Sequence, residues 1–448
     1  MPQSATPRIR FGAPAGVPVE AAFDAGRLTS DGGLPWLGEA DAALGLCAAL
    51  AAEVPEWRRR PGRHPLVDLV RQRVLQIACG YADQNDADAL RSDPLLKLAC
   101  GRLPDSEPDL ASQPTLSRLE NAVDARACYR LAVALGAVYL RERGREGVPA
   151  RIALDFDGTD DPVHGGQEGS AYHGYYRQHQ YFPLLVFDAD TGQLATAVLR
   201  PGTAHAGRGA VAVLKRIVRA LRGRWPDVAI AIRADSGFAL PALYEYCETE
   251  GIEFTIGLVP NPRLEALAAP LMAAAASQRA EAAADKVRLL GEATYQAGSW
   301  PQPRRVVVKA EALPKGPNTR FVVTNRDDDP AAVYGWYTDR GEAENWIKDL
   351  KAACAADRLS CRRLWANQFR LLLHAAAYWL LDTVRRWLVR LGGERVRLET
   401  LRLRLLKVGG RVSQLRDRVR LRLAGSHPGE PLWRLLASRP DRFVNNPG

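Results

Sequence analysis

Two short apolar runs, RIALDFD from Arg151 and VAIAIRAD from Val228, each end on aspartate, and the chain around them alternates strand texture with helix texture. YFPLLVFDAD and QLATAVLR read as two more strands joined by a turn at Asp190-Thr191-Gly192. GRGAVAVLKRIVRALRGR reads as an amphipathic helix, LPALYEYCETEG as a second helix and IEFTIGLV as a strand. The order is three strands, helix, strand, helix, strand. Helices interleaved with apolar strands cover both faces of a partly parallel sheet, so the expected class is α/β, led by an antiparallel hairpin.

The flanks differ from this centre. Residues 1–150 carry helical spacing in GGLPWLGEADAALGLCAALAAE, PLVDLVRQRVLQIACGYA and CYRLAVALGAVYLRER, so a mainly helical region is expected. SQPTLSRLENA, with Ser112 as N-cap and Pro114 in the first turn, suits a short packing helix or one of helix-turn-helix type. After the central segment, 151–260, residues 261–329 hold an Ala-rich helix and three β-patterned stretches, RLLGEATYQA, RRVVVKAEA and TRFVVTN. A helix is expected over 330–363. The remainder, 364–448, opens with a long amphipathic helix, QFRLLLHAAAYWLLDTVRRWLVRL, and includes DRVRLRLAG, whose period of two sets arginine on one face and Val/Leu on the other.

With 448 residues, 47% of them hydrophobic, the chain buries a sizeable core and is not disordered in bulk. The net charge of +10 is unevenly placed: from Arg358 onward it is +14, as expected of a surface facing a polyanion. Seven scattered cysteines without a C-x-x-C pair argue against a disulfide framework or a zinc ribbon. The N-terminus lacks a signal-peptide run and no apolar stretch is long enough for a bilayer, so a soluble cytoplasmic protein is expected.

Three motifs can carry chemistry. In LDFDGTDDP, strand alternation puts Asp155 and Asp157 on one face at the carboxyl end of a strand, where α/β sites lie. Alone, the string resembles the Asp-x-Asp-Gly-Thr nucleophile motif of haloacid-dehalogenase-type phosphatases; in context it resembles the first carboxylate of an RNase H-like metal nuclease. In RADSGF, Asp235 ends a second strand, and a neighbouring pair of carboxylates is what hard divalent ions on a phosphodiester require. In YTDRGEAENWIKDLK, the residues Tyr337, Arg340, Glu344 and Lys351 fall within an arc of roughly 60° if the segment is one helix. Glu342 points away, which favours Glu344 as the acid of that motif.

Together with TSDGGL and HGYY, and in this order, these motifs resemble DDE transposases of the insertion-sequence-4 superfamily, the 1380 family in particular, over about residues 25 to 425. The resemblance implies an RNase H-like catalytic core interrupted by a β-rich insertion, which suits the 109 positions from Asp235 to Glu344. It implies Asp157, Asp235 and Glu344 as catalytic and metal-binding triad, with Asp155 the alternative first carboxylate. Tyr337, Arg340 and Lys351 become phosphate-side groups. Two Mg²⁺ ions, replaceable by Mn²⁺, are the implied cofactor, and double-stranded DNA, both terminal inverted repeats and target, the implied partner of a dimeric synaptic complex. Base recognition is expected before residue 150 and sequence-independent affinity in the basic C-terminal segment. The alternatives are a decayed or domesticated DNA-binding protein and the phosphatase. Trp300 is a candidate for stacking on an extruded base or for simple packing; His164, His173, His179 and His205 lack zinc spacing, and Tyr172, Tyr175, Tyr176 and Tyr181 suit a sheet lining.

Overall fold

Asp155 and Asp157 lie on an interior strand of a large mixed sheet. The computed structural model describes residues 8–12, 17–60, 62–174 and 176–440. They divide into two compact units, one made of residues 1–51, 56–119 and 380–448 and the other of residues 52–55 and 120–379.

The second unit carries the sheet. Its strands are β1 (Arg151–Gly158), β2 (Leu184–Asp188), β3 (Leu194–Val198), β4 (Ala229–Ala234), β5 (Glu253–Leu258), β6 (Val287–Tyr295), β7 (Arg304–Leu313) and β8 (Gly316–Thr324), in the order β6-β7-β8-β5-β4-β1-β2-β3. β1, β4 and β5 run parallel, and the other pairings are antiparallel. The six inner residues of β1 are all buried, as a strand covered on both faces requires. Its helices include α1 (Ala125–Arg143), α2 (Ala210–Arg224), α3 (Pro241–Thr249) and α4 (Pro262–Glu281). Asp124 caps α1 by accepting from the Ala127 amide, and Asn261 caps α4 by accepting from those of Arg263 and Leu264.

The three stretches of the expected insertion do not form a layer of their own. β8 pairs antiparallel with β5, so β6, β7 and β8 extend the same sheet. At the opposite edge, side chains take the place of a further strand along β3. The Leu199 amide donates to Gln368 Oε1 (2.6 Å), Gln368 donates to the Ala197 carbonyl (3.2 Å), and Trp379 Nε1 donates to the Leu194 carbonyl (3.0 Å). A covered edge of this kind cannot template further pairing.

Gln368 and Trp379 come from the helix Leu364–Arg390. The sequence suggests an amphipathic helix, but every residue from Ala366 to Trp379 is buried. Its polar side chains find internal partners: Asn367 donates to Tyr181 Oη and the Cys361 carbonyl, and Arg370 reaches Glu120 (3.3 Å) and the Arg358 carbonyl.

The first unit has helices Leu34–Leu44, Leu66–Ala78 and Pro94–Ala99, and a three-stranded sheet of Val419–Leu423, Gly410–Gln414 and Leu28–Thr29. The TSDGGL motif is packed into this unit through its glycines. The amides of Gly32 and Gly33 donate to the carbonyls of Val408 (2.8 Å) and Leu406 (3.1 Å), and a Cβ on Gly33 would stand 2.3 Å from the Leu405 carbonyl oxygen. All seven cysteines are free and buried. No single helix among the described residues is long and apolar enough to cross a membrane.

Candidate functional site

β1 and β4 bring two of the predicted carboxylates side by side. Their parallel register pairs Arg233 with Asp155 and Ala234 with Phe156, so the next step along both strands sets Asp235 beside Asp157. The site therefore lies at the carboxyl ends of adjacent parallel strands, where open α/β sheets place their ligands. Asp235 caps the short turn Ser236–Phe238, its Oδ1 accepting from the Gly237 amide at 2.8 Å.

Asp155 and Asp157 have different surroundings. Both oxygens of Asp155 accept from Arg233, at 2.7 and 2.8 Å, and the two side chains are 0% and 4% exposed. Arg233 also donates to the Trp336 carbonyl (2.8 Å) and lies over the Trp336 ring. Burial pushes the Asp155 carboxyl above its ordinary value, and Arg233 pulls it back. Asp157 accepts from Arg340 Nη1 at 3.0 Å. Burial pushes its carboxyl up to about 6, opposed by the charge of Arg340 and helped by that of Asp235.

Arg340 stands at a break. The segment expected as one helix forms two, α5 (Pro330–Thr338) and α6 (Gly341–Cys354), joined at Asp339 and Arg340 by i to i+3 hydrogen bonds such as Arg340 N to Tyr337 O (3.1 Å). The single-helix angular arithmetic therefore fails at Tyr337, which lies in the last turn of α5. Three of the four residues nevertheless converge. Arg340 Nη2 is 3.9 Å from Glu344, whose side chain is 58% exposed, and burial raises the Tyr337 hydroxyl's pKa, opposed by the Arg340 charge and reinforced by that of Asp235. Gly257 on β5 makes room for that hydroxyl: a Cβ there would stand 2.5 Å from Tyr337 Oη.

Lys351 points elsewhere. Its ammonium donates to the Asp160 carbonyl (2.6 Å) and to Asp160 Oδ1 (2.8 Å). Burial works to raise the Asp160 carboxyl, but Lys351 outweighs it and holds it below its ordinary value. The next residue, Asp161, is 1% exposed with no hydrogen bond to either oxygen, and burial pushes its carboxyl far up, aided by Asp357.

Sequence reasoning missed Arg233, Asp160, Gly257 and Trp336. Arg233 had a signal, since a cation in the apolar run VAIAIRAD needs a buried partner. Trp300 is 6% exposed, packed edge-on to Tyr244 and Tyr295 with Arg304 over its ring, so it is a core residue and not a free stacking surface. Tyr172 and Tyr181 lie on small strands, Ala171–His173 and Gln178–Tyr181; Tyr176 follows the first of these, and Tyr175 lies outside the described residues.

The donor chemistry suits a hard divalent cation: three carboxylates without sulfur or imidazole, one of them desolvated and crowded by a second. Their placement suits it in part. Among the described residues no three His, Cys, Asp or Glu side chains stand close enough to hold a metal ion, because Glu344 lies across Arg340 from Asp157.

A family model described as transposase DDE domain group 1 matches residues 11–443. The chain belongs to this family. No curated protein matches it. Among solved structures, a piggyBac transposase synaptic complex with hairpin DNA, determined by cryo-EM, is similar at 12% identity and a TM-score of 0.44, over 85% of this chain and 80% of that one. Within the DDE family assignment, the Asp-x-Asp-Gly-Thr string has no phosphatase geometry: Asp155, where the nucleophile would stand, is fully buried with both oxygens on Arg233.

Proposed function

We propose that this protein is a DNA transposase that cuts element ends and joins them to target DNA, with Asp157, Asp235 and Glu344 as its catalytic carboxylates. Membership in the DDE family supports the activity. The observation that carries the residue assignment is the β1–β4 register, which sets Asp157 beside Asp235 while Arg340 spans from Asp157 to Glu344. The strand order β3-β2-β1-β4-β5, antiparallel hairpin first, supports an RNase H-like core with β6 to β8 added at its far edge.

Asp157 and Asp235 would hold divalent ions, Mg²⁺ or Mn²⁺, with Glu344 completing the set after turning from Arg340. Such ions supply charge that activates water or a 3′-hydroxyl and stabilises the leaving oxygen. The chain's own groups do the rest. Asp155 takes no part in binding; it positions β1 against β4 through Arg233. Arg340, held charged among carboxylates, would turn its guanidinium fork to a phosphate, and the Tyr337 hydroxyl, seated over Gly257, would donate to it. Lys351 anchors the loop after Asp157 through Asp160, and meets phosphate only on leaving it. The partners in this reading are duplex element ends and target DNA, bound by a dimer, with end recognition before residue 150.

The test is cleavage of a supercoiled plasmid bearing the element's own ends, with Mg²⁺. Asp157→Ala, Asp235→Ala and Glu344→Ala should each abolish cleavage and keep end binding. Intact cleavage by any one of them removes that residue from the triad, and no Mg²⁺-dependent cleavage by the wild type would support the decayed DNA-binding alternative.

A further inference from the structure

The small sheet of the first unit places like charges opposite one another. Its middle strand, Gly410–Gln414, pairs with the edge strand Val419–Leu423 so that Arg411 stands across from Arg422 and Ser413 across from Arg420. Alternation separates the two faces: Val412 is buried and Val419, Leu421 and Leu423 half-buried, whereas Arg411, Arg420 and Arg422 are all exposed. The inner face is closely packed, since a Cβ on Gly410 would stand 2.9 Å from Leu421 Cδ1. The strands are thus fixed in a register that points three guanidiniums one way.

Like charges directly across a strand pair destabilise it, and arginine cannot relieve the repulsion by losing its proton. Among the described residues none of these three arginines has a carboxylate partner. The nearest acid in sequence, Asp417, is taken by Arg418 at 2.5 Å, so Arg418, although adjacent, adds little net charge to this face. Arg420 and Arg422, two residues apart on one strand, are separated by about 6.6 Å along it, and Arg411 lies roughly 5 Å across from Arg422. A fixed, uncompensated triangle of forked donors fits a row of phosphates.

We propose that the outer face of the hairpin Gly410–Leu423, carried by Arg411, Arg420 and Arg422, is a docking surface for the phosphate backbone of double-stranded DNA, read without regard to sequence. The inference rests on the transposase reading for its polyanion and adds where that polyanion is held: on a β-ribbon distinct in sequence from the carboxylate site. Phosphate contacts of this kind orient a protein on a duplex and leave base selection to other residues.

The experiment is fluorescence anisotropy of full-length protein on a random-sequence duplex, without divalent metal, over a range of salt. Each phosphate contact contributes about −0.9 to the slope of log affinity against log salt. Arg411→Ala/Arg420→Ala/Arg422→Ala should therefore flatten the slope by about 2.7, so that the affinity lost between 50 and 200 mM salt shrinks about 40-fold. The triple lysine variant should keep most of the wild-type slope. Should the alanine triple not fold, Arg420→Gln alone should flatten the slope by about 0.9. An unchanged slope in a folded variant overturns the proposal, as does a loss that differs between two duplex sequences of equal length. A wild type that binds no DNA at all would refute the transposase reading instead, whereas wild-type binding and cleavage with an unaffected variant slope refutes only the ribbon.

Discussion

The same change, carboxylate to amide, should move stability in opposite directions at two positions only two residues apart. Asp155→Asn removes the anion from a fully buried bidentate pair, and the Arg233 guanidinium, which keeps its charge, is left with the Trp336 carbonyl and ring. Breaking a buried pair from one side costs about 3–5 kcal/mol, enough to lower the melting temperature of a unit this large by on the order of 10 °C. Asp157→Asn works the other way. Its carboxyl titrates at about 6 in the folded protein against 3.8 ordinarily, so the folded state keeps a proton that the unfolded chain has released. Stability therefore falls as pH rises from about 4 to about 6, and the full penalty stands above that range. That displacement, which already includes the pull of Arg340, is worth roughly 3 kcal/mol, so Asp157→Asn should gain up to about 3 kcal/mol at neutral pH. The assay is urea unfolding of metal-free protein, followed by tryptophan fluorescence, near pH 4 and near pH 7. Asp157→Asn should exceed wild type at neutral pH and match it at acid pH, while Asp155→Asn is the weaker protein at neutral pH, its deficit shrinking near pH 4 as the wild-type carboxyl takes up its own proton. A destabilised Asp157→Asn at neutral pH would mean that its carboxylate is a structural partner of Arg340 and not a strained functional group.

Other substitutions probe neighbouring parts of the site. Arg340→Ala should bind Mn²⁺ several-fold more tightly by calorimetry, because its guanidinium competes for Asp157 and Glu344, and yet lose cleavage; weaker Mn²⁺ binding would show that Arg340 organises the carboxylates. Gly257→Ala should displace the Tyr337 hydroxyl, costing about 1–3 kcal/mol in unfolding experiments and depressing cleavage. Trp300→Ala should cost about 3–5 kcal/mol as a core truncation, with cleavage per folded molecule unchanged; a normal melting temperature with lost cleavage would return Trp300 to the DNA. Glu342→Ala should retain cleavage, since Glu342 has no part in the Arg340 bridge, and an inactive Glu342→Ala beside an active Glu344→Ala would reverse the acid assignment.

What was legible in the sequence and what was not follows from how far away each residue's partner lies. The hairpin and the β1, β4 and β5 strands could be read because a doubly covered strand needs an uninterrupted apolar run, and Asp157 and Asp235 stood out as charges ending two such runs. The grouping of β6 to β8 with the same sheet could not be read, because nothing local to 287–324 says that the free edge of β5 will accept β8. Gln368 and Arg370 made a helix that is buried from Ala366 to Trp379 look amphipathic, since their partners, Leu199 and Ala197 for one and Glu120 for the other, lie far off in the chain.

The break at Asp339–Arg340 shows the same limit within the site itself. Helical periodicity runs on through the break, and both junction residues keep right-handed helical dihedrals, so the sequence pattern of a single helix survives although the hydrogen-bond ladder does not. Yet the break serves the site. It leaves Arg340 as the first residue ahead of α6, where its guanidinium bridges Asp157 on the sheet and Glu344 in the first turn, while Tyr337 at the end of α5 seats its hydroxyl over Gly257. Lys351, farther along α6, reaches Asp160 instead. Angular arithmetic on one helix grouped all four residues; the two-helix geometry keeps three around the carboxylates and sends the fourth to the loop that follows Asp157. The arrangement of the proposed site therefore depends on a junction whose sequence trace is faint, Gly341 being a poor helix former set directly after the arginine.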